Sequence, residues 1–419
     1  MSAVELVTIG TELLLGETVD TNGAWLARRL AGAGVRVVRR VSVGDDAEAI
    51  RDAVATALER TGRVICTGGL GPTGDDITRP VVADLLGRPL DVDTEALERM
   101  RERFRRRGLE MADRNRRQAQ VPRGAEVLPN SHGTAPGLLL EAGADRWVVL
   151  LPGVPHEMRA IVDEELLPRL RVRVPDLGPG IRSRMLRTTG IAESTLAERV
   201  ADIVSDAAPL TVAFLPSFAG TDIRVTSWGE LDDVAAEAAV DALVGALRRR
   251  VGDHAYAVGE TDLAEVVAKR MTDAGLTLAL AESCTGGLLG KRLTDVPGAS
   301  LFLAGGVVAY SNHVKQAVLR VPADVLARDG AVSEASACAM AAGARRALDA
   351  DAALAITGIA GPDGGTAEKP VGTVWIAAAL GERTETRRFL FPGSRDEVRQ
   401  RSAQAALEAL LRMLTAEVA

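Results

Sequence analysis

Apolar positions along the chain alternate between short continuous runs and longer stretches with helical spacing. Residues 4–9 (VELVTI) read as a buried strand, and 22–32 as an amphipathic helix ended by Gly34. A strand over 36–43, a helix over 47–60 and a strand over 63–67 follow. The last opens into Gly68-Gly69-Leu70-Gly71-Pro72-Thr73-Gly74-Asp75-Asp76 and a helix over 77–86. Another buried strand, 147–151 (WVVLL), ends in PGVPHEM. Such alternation predicts βαβ units on a mostly parallel sheet.

The Pro/Gly-rich stretch 174–183 predicts a linker. Beyond it, a strand (184–189), a helix (192–203), two strands (211–215 and 221–226) and a helix (231–250) make a small α+β unit without a catalytic-looking cluster. Alternation then resumes, with helices over 261–274, 286–293, 333–348 and 395–415 and strands over 277–281, 305–310, 352–357 and 371–379. The expected domains are 1–170, 180–252 and 258–419, and the fold class is α/β with a small α+β middle domain.

Composition narrows the function. The chain has 419 residues, 47% hydrophobic and 26% charged, with a net charge of −7, as expected of an ordinary multidomain globular protein. The acidic balance argues against a general nucleic-acid binder. No apolar run approaches the ~20 residues of a membrane span, and the N-terminus lacks a signal-peptide pattern. Three widely spaced cysteines, Cys66, Cys284 and Cys338, predict neither a disulfide framework nor a zinc site, and fit a reducing cytoplasm. The basic residues are almost all Arg; Lys occurs only at 269, 291, 315 and 369. A Lys kept in such a background is a candidate for work Arg cannot do, such as giving up a proton.

Strand 277–281 runs into Glu282-Ser283-Cys284-Thr285-Gly286-Gly287 and a helix. A serine there sits where unpaired N–H groups and the helix dipole converge, which suits a nucleophile and a developing oxyanion. It equally suits a helix cap made by Ser283 or Thr285. Further on, Tyr310-Ser311-Asn312-His313-Val314-Lys315 ends a strand. A desolvated Lys can act as base for a Ser nucleophile, and Tyr310 could relay the proton. The glycines of Ile356-Thr357-Gly358-Ile359-Ala360-Gly361 permit close approach of backbone N–H groups to an anion, and Arg399 could add a bidentate phosphate contact.

In the first domain the Gly68–Asp76 loop again joins a strand to a helix, a setting for phosphate. Adjacent Asp75 and Asp76 beside phosphate call for a divalent cation between them, unless one caps the helix and the other is solvated. Loops Gly10-Thr11-Glu12, Asp20-Thr21-Asn22 and Gly44-Asp45-Asp46 flank neighbouring strands, at the edge where open parallel sheets bind ligands.

The ordered segments AESCTGG, GGVVAYSNHVK, GAVSEA, ITGIAGPDGG and KPVGTVW closely resemble the nicotinamide-nucleotide amidase domain of the CinA (competence/damage-inducible protein A) family. The resemblance implies Ser283 as nucleophile, activated by Lys315 and Tyr310, and a pocket of Thr285, Gly286, Gly287, Thr357, Gly358 and Arg399. Nicotinamide mononucleotide would be hydrolysed to nicotinate mononucleotide and ammonia, with no cofactor. Cys284 is the rival nucleophile; it reads as packed beneath the loop.

The N-terminal segments, with GTAPG and LPGVPHEM, look like the family's molybdopterin-binding-like domain, which implies a metal-dependent ADP-ribose pyrophosphatase. Gly68, Gly69, Gly71 and Pro72 would take the pyrophosphate, and Asp76, with Asp75 or Asp45, would hold Mg²⁺ or a similar ion. Glu12, Asn22 and His156 would line the pocket. A domain that only binds a nucleotide or pterin fits the same motif. The middle unit resembles a KH-like domain without the Gly-x-x-Gly clamp, so nucleic acid is not expected there. The resemblance also implies a homodimer.

Overall fold

The computed structural model describes residues 2–174 and 178–416. The chain forms two compact units. One comprises the chain up to Arg182 with Trp228–Ala236, the other Ser183–Ser227 with Glu237–Ala419.

The first unit is built on β1 (Ser2–Ile9), β2 (Val35–Val43), β3 (Arg63–Thr67), β4 (Leu90–Val92), β5 (Gln120–Pro122), β6 (Glu126–Leu128), β7 (Gly137–Glu141) and β8 (Trp147–Leu151). Six of them form one sheet, ordered β2-β1-β3-β8-β7-β6. The first four are parallel, and β7 and β6 are antiparallel. Because side chains alternate across a strand, the sheet feeds two cores. Val4, Leu6, Ile65 and Val149 meet Leu26 and Leu30 on one face. Val7, Ile9, Val64 and Val148 meet Ile50, Val54 and Val82 on the other. Glu5, buried in β1, is held by two bonds from Arg60, 2.9 and 2.7 Å.

The helices start where the chain supplies caps. Asp20 accepts from Gly23 N at 2.8 Å and Asp46 from Ala49 N at 2.9 Å, opening helices Thr21–Gly32 and Ala47–Thr61. Helix Thr94–Arg106 has few apolar positions and is bound by surface ion pairs such as Arg106–Glu102, 3.0 Å. Its apolar positions, Ala96, Leu97, Met100 and Phe104, keep helical spacing and bury one narrow stripe, a signal the elements predicted from the sequence leave out. The expected linker over 174–183 falls partly on residues 175–177, outside the described residues.

In the second unit β9 (Arg182–Thr188), β10 (Thr211–Ser217), β11 (Gly220–Ser227) and β12 (Ala255–Val258) form a sheet ordered β10-β11-β9-β12. The helix expected over 192–203 is broken at Val200 into Glu193–Arg199 and Ala201–Ser205. The segment 252–260, where a boundary is expected, contains β12, which pairs with β9.

The remaining sheet holds β13 (Leu278–Glu282), β14 (Leu303–Val308), β15 (Ala352–Gly358), β16 (Thr373–Leu380) and β17 (Arg383–Leu390), ordered β14-β13-β15-β16-β17. The first three are parallel and the last two antiparallel. Helices Leu263–Ala274, Leu288–Thr294 and Arg395–Ala416 cover one face, and Glu334–Leu348 the other. β17 (RTETRRFL) is an edge strand and almost wholly exposed, so no apolar alternation marks it. The register aligns Glu282 with Val308 and Ile356, which sets Ser283, Ala309 and Thr357 abreast at the carboxyl edge.

Candidate active site

Ser283 is the first residue past β13, and its N–H donates to Ile356 O at 2.9 Å. The chain then turns tightly through Cys284–Gly287, with Gly286 and Gly287 at φ of +60° and +94°. Those values lie in the left-handed region that favours glycine. The helix starts only at Leu288.

Lys315 reaches Ser283 from the next strand end. Ser311 caps helix Asn312–Ala317 through Val314 N, 3.3 Å, and turns Lys315 inward. Lys315 is 1% exposed, a depth lysine reaches only with partners. Its Nζ lies 3.0 Å from Ser283 Oγ, 2.7 Å from Ala309 O and 3.4 Å from Tyr310 O. No carboxylate is among those partners, and burial pushes the Lys315 ammonium below its usual pKa. The other lysines differ. Lys269 and Lys291 pair with Asp273 and Asp295 on the surface, and Lys369 donates to Asp329 O.

Three expectations are corrected here. The helix N-terminus is not open to an oxyanion: the buried Glu282 carboxylate accepts from Gly287 N, Leu289 N and Gly290 N at 3.0, 3.1 and 2.8 Å. An anion stabilised by the start of the helix is already present. Neither Ser283 nor Thr285 caps that helix; the Thr285 hydroxyl is buried without a hydrogen-bond partner. Among the described residues, the N–H groups of Cys284 and Thr285 have no protein acceptor.

The Tyr310 phenol does not join the Ser283–Lys315 pair. The residue is 60% exposed, and its hydroxyl accepts from Arg395 Nη2 at 2.9 Å. Only its backbone carbonyl touches Lys315. Arg395 also donates to Gly361 O at 2.7 Å, bracing the two loops beside the serine. Arg399, four residues on and so on the same helical face, donates twice to Thr285 O, at 3.2 and 2.8 Å.

Cys284 is buried, and desolvation pushes its thiol up to about 12. It is thus a protonated packing residue, unsuited to attack. Thr357 ties the β15 end to Ala331 O at 2.7 Å. Gly358 is packed so closely against β16 that a Cβ would meet Thr373 O at 2.8 Å.

The N-terminal loop follows the same plan with other contents. Gly68 has φ +115°, and a side chain there would collide with Ile9 O; its N–H donates to Leu151 O. Gly69 packs on Thr78. The Asp76 carboxylate accepts from Gly71 N at 2.7 Å, from Thr73 N at 2.8 Å and from the Thr73 hydroxyl. Two of the expected pyrophosphate donors, Gly68 and Gly71, are therefore used within the protein, and Pro72 has no N–H.

Asp45 accepts from Thr11 N and Thr11 Oγ1 at 2.9 and 3.0 Å. Asp75 is exposed, and Thr73 beside it holds its carboxyl below the usual range. Neither Asp75 nor Asp76 caps helix Thr78–Leu85. Among the described residues, no three His, Cys, Asp or Glu side chains are grouped to hold a metal, so Asp45, Asp75 and Asp76 do not form a ligand cage. Asn22 Nδ2 donates to Gly153 O at 2.7 Å while its Oδ1 is buried without a partner. Glu12 and His156 are exposed at the same edge.

Sequence reasoning passed over Glu282, Arg395 and Arg79. Arg79 is buried under the loop, donates to Leu70 O at 3.1 Å and Arg117 O at 2.8 Å, and is pushed down to about 10 by burial. A signal existed for Arg395, which shares the i, i+4 spacing with Arg399.

Taken together, the architecture defines a three-domain protein, molybdopterin-binding-like, then KH-like, then a mixed α/β domain with a serine and a buried lysine at one sheet edge. Family models match in that order: a probable molybdopterin binding domain at 5–172, the damage-inducible protein CinA KH domain at 183–257 and the CinA C-terminal domain at 260–414. The chain is 51% identical over 415 residues to a CinA-like protein of Gemmatimonas aurantiaca, covering 99% of this chain and 97% of the relative. It is 44% identical over 419 residues to a putative competence-damage inducible protein of Symbiobacterium thermophilum, covering 98% of each. The chain belongs to the CinA family. A solved structure of competence damage-inducible protein A from Klebsiella pneumoniae is 40% identical, with a TM-score of 0.36, over 36% of this chain and 95% of that one. No helix among the described residues is long and apolar enough to cross a membrane.

Proposed function

We propose that the C-terminal domain hydrolyses the carboxamide of nicotinamide mononucleotide, with Ser283 as nucleophile and Lys315 as its base. The observation that carries this reading is the Lys315 amine, buried without a carboxylate and 3.0 Å from the Ser283 hydroxyl.

Two of the three Lys315 partners are carbonyls, which only accept. A neutral amine has two N–H donors for them and one lone pair, which is left for the Ser283 O–H. Burial favours that neutral form. Ser283 Oγ attacks the amide carbon while its proton passes to Lys315 Nζ. The tetrahedral adduct collapses as Lys315 returns the proton to the departing nitrogen, and ammonia leaves. Water, deprotonated by the same amine, attacks the acyl-serine; nicotinate mononucleotide is released and Ser283 regains its proton. The free N–H groups of Cys284 and Thr285, next to the nucleophile, are the donors available to the oxyanion. Arg395 and Arg399 supply positive charge for the nucleotide phosphate.

Incubating the purified protein with nicotinamide mononucleotide and assaying ammonia tests this. No turnover by the wild type, or full turnover by Ser283→Ala, would remove it. A homodimer belongs to the same reading and is tested by sedimentation.

For the N-terminal unit the reading is a site for a phosphorylated nucleotide or pterin, supported by the loop at the sheet edge and the orphaned Asn22 Oδ1. Metal-dependent cleavage of ADP-ribose is the reaction to test there. Mg²⁺ needs only one or two carboxylates when the ligand's phosphates complete its shell, and Asp75 is the one not committed to Thr11 or Gly71. Binding of ADP-ribose without Mg²⁺-dependent release of AMP would reduce the role to binding.

A further inference from the structure

Within the second unit lies a cleft of about 1010 Å³, formed where elements of the KH-like and C-terminal domains meet. Five arginines line it. Arg248 and Arg249 come from the last turn of helix Asp233–Val251, Arg270 from helix Leu263–Ala274, Arg387 from β17 and Arg412 from the end of helix Arg395–Ala416. Only two carboxylates, Asp253 and Glu408, line it as well, an excess of three positive charges in a chain of net charge −7.

Glu408 is already engaged. It pairs with Arg412 at 2.6 Å and accepts from Thr189 Oγ1 at 3.3 Å. Among the described residues Arg248, Arg249, Arg270 and Arg387 form no ion pair, Arg387 resting over the Phe389 ring at 5.0 Å, whereas Arg250 in the same turn as Arg248 and Arg249 pairs with Asp202 at 2.7 Å. Arginines at a helix C-terminus are favoured by the dipole, which accounts for Arg248 and Arg249. It does not account for Arg270 and Arg387, which come from other elements. Unpaired guanidinium groups around one concavity repel each other until an anion joins them, and their planar forks match phosphate oxygens.

We propose that this cleft binds a small ligand carrying two or more linked phosphates. A lone phosphate engages too few of the four arginines to offset their repulsion. The volume is at the upper end of the roughly 300–1,000 Å³ usual for small-molecule sites, and Val266 and Leu411 supply an apolar wall for an organic portion. Both inorganic pyrophosphate and a nucleoside triphosphate carry the required group. None of the residues assigned to amide hydrolysis is used.

The test is calorimetry on the full chain bearing Ser283→Ala, titrated with pyrophosphate, adenosine triphosphate, nicotinamide mononucleotide and a 12-nucleotide single-stranded RNA. Pyrophosphate or the triphosphate should bind more tightly than the mononucleotide, and Arg249→Glu/Arg387→Glu should weaken that binding at least tenfold. A gain from pyrophosphate to triphosphate marks a nucleotide ligand; equal affinity marks the bare polyphosphate. Arg249→Gln/Arg387→Gln repeats the comparison without charge reversal, and circular dichroism checks both folds. Equal affinity in the charge-reversed and parent proteins, or preferential binding of the RNA, overturns the proposal. In the Ser283 background, ammonia release by the arginine variants reports separately on the amidase reading.

Discussion

Arg399 holds the carbonyl oxygen of Thr285 with two N–H groups, at 3.2 and 2.8 Å, across 114 residues of sequence. This fork steadies the turn that presents Ser283. Arg399→Ala should lower kcat/KM on the order of 10²-fold, the cost of a small misplacement of reacting groups. Arg399→Lys keeps the charge but loses the fork and should fall in between. Wild-type turnover in Arg399→Ala would show that the turn holds itself.

Replacing the buried amine separates chemistry from folding. Lys315→Met should cut amide hydrolysis by roughly 10²- to 10⁴-fold, as expected for loss of a general base. The folded state should change little, because relief of the desolvated amine offsets the loss of its donors to Ala309 O and Tyr310 O. A melting temperature well below wild type would count against this account of Lys315.

The pH dependence has a defined sign. Lys315 binds its proton more weakly in the folded chain than in the unfolded one. Between its folded value and about 10.4 the unfolded chain carries the extra proton, so stability rises with pH across that window. Below the window the full penalty of burying the cation is present. The kcat/KM of the wild type should rise with pH along a single-proton limb centred below about 10.4. Lys315→Met should lack both effects, and a wild-type limb persisting in that variant would assign the titration elsewhere.

Glu282 predicts a structural defect rather than a chemical one. Glu282→Ala strands the N–H groups of Gly287, Leu289 and Gly290 and should cost about 3 kcal/mol. For a unit of this size that is roughly 6–12 °C in Tm. An unchanged melting transition would mean that water replaces the carboxylate at no cost.

Cys284→Ala should retain amide hydrolysis, and thiol-blocking reagents should leave the wild type active. Inactivation that Cys284→Ala abolishes would transfer the nucleophile to the neighbouring position.

The order of the buried strands and their helices, and the gathering of Ser283 and Lys315, were readable because the strands are short continuous apolar runs and Lys occurs at only four positions. What escaped depends on other signals. β12 is only four residues long, and helix Thr94–Arg106 is mostly charged, its apolar stripe narrowed to Ala96, Leu97, Met100 and Phe104. The opposite errors, an open helix mouth and Tyr310 as relay, came from assigning groups by proximity in sequence. Glu282 fills the mouth from the end of its own strand, and the Tyr310 phenol is drawn off by Arg395, 85 residues away. Motif glycines were a similar case: Gly68 and Gly358 answer first to neighbouring backbone, and their availability to a ligand is a separate matter.

The strand RTETRRFL borders the C-terminal sheet with one flank that no other strand among the described residues covers. An uncovered flank invites a second molecule to stack strand against strand, the usual seed of fibrils. Four charged side chains in eight residues make that docking repulsive between identical copies. The segment least marked in the apolar pattern thereby acts as the sheet's guard against self-association, and neutralising Arg383, Glu385, Arg387 and Arg388 together should increase aggregation, as light scattering would report.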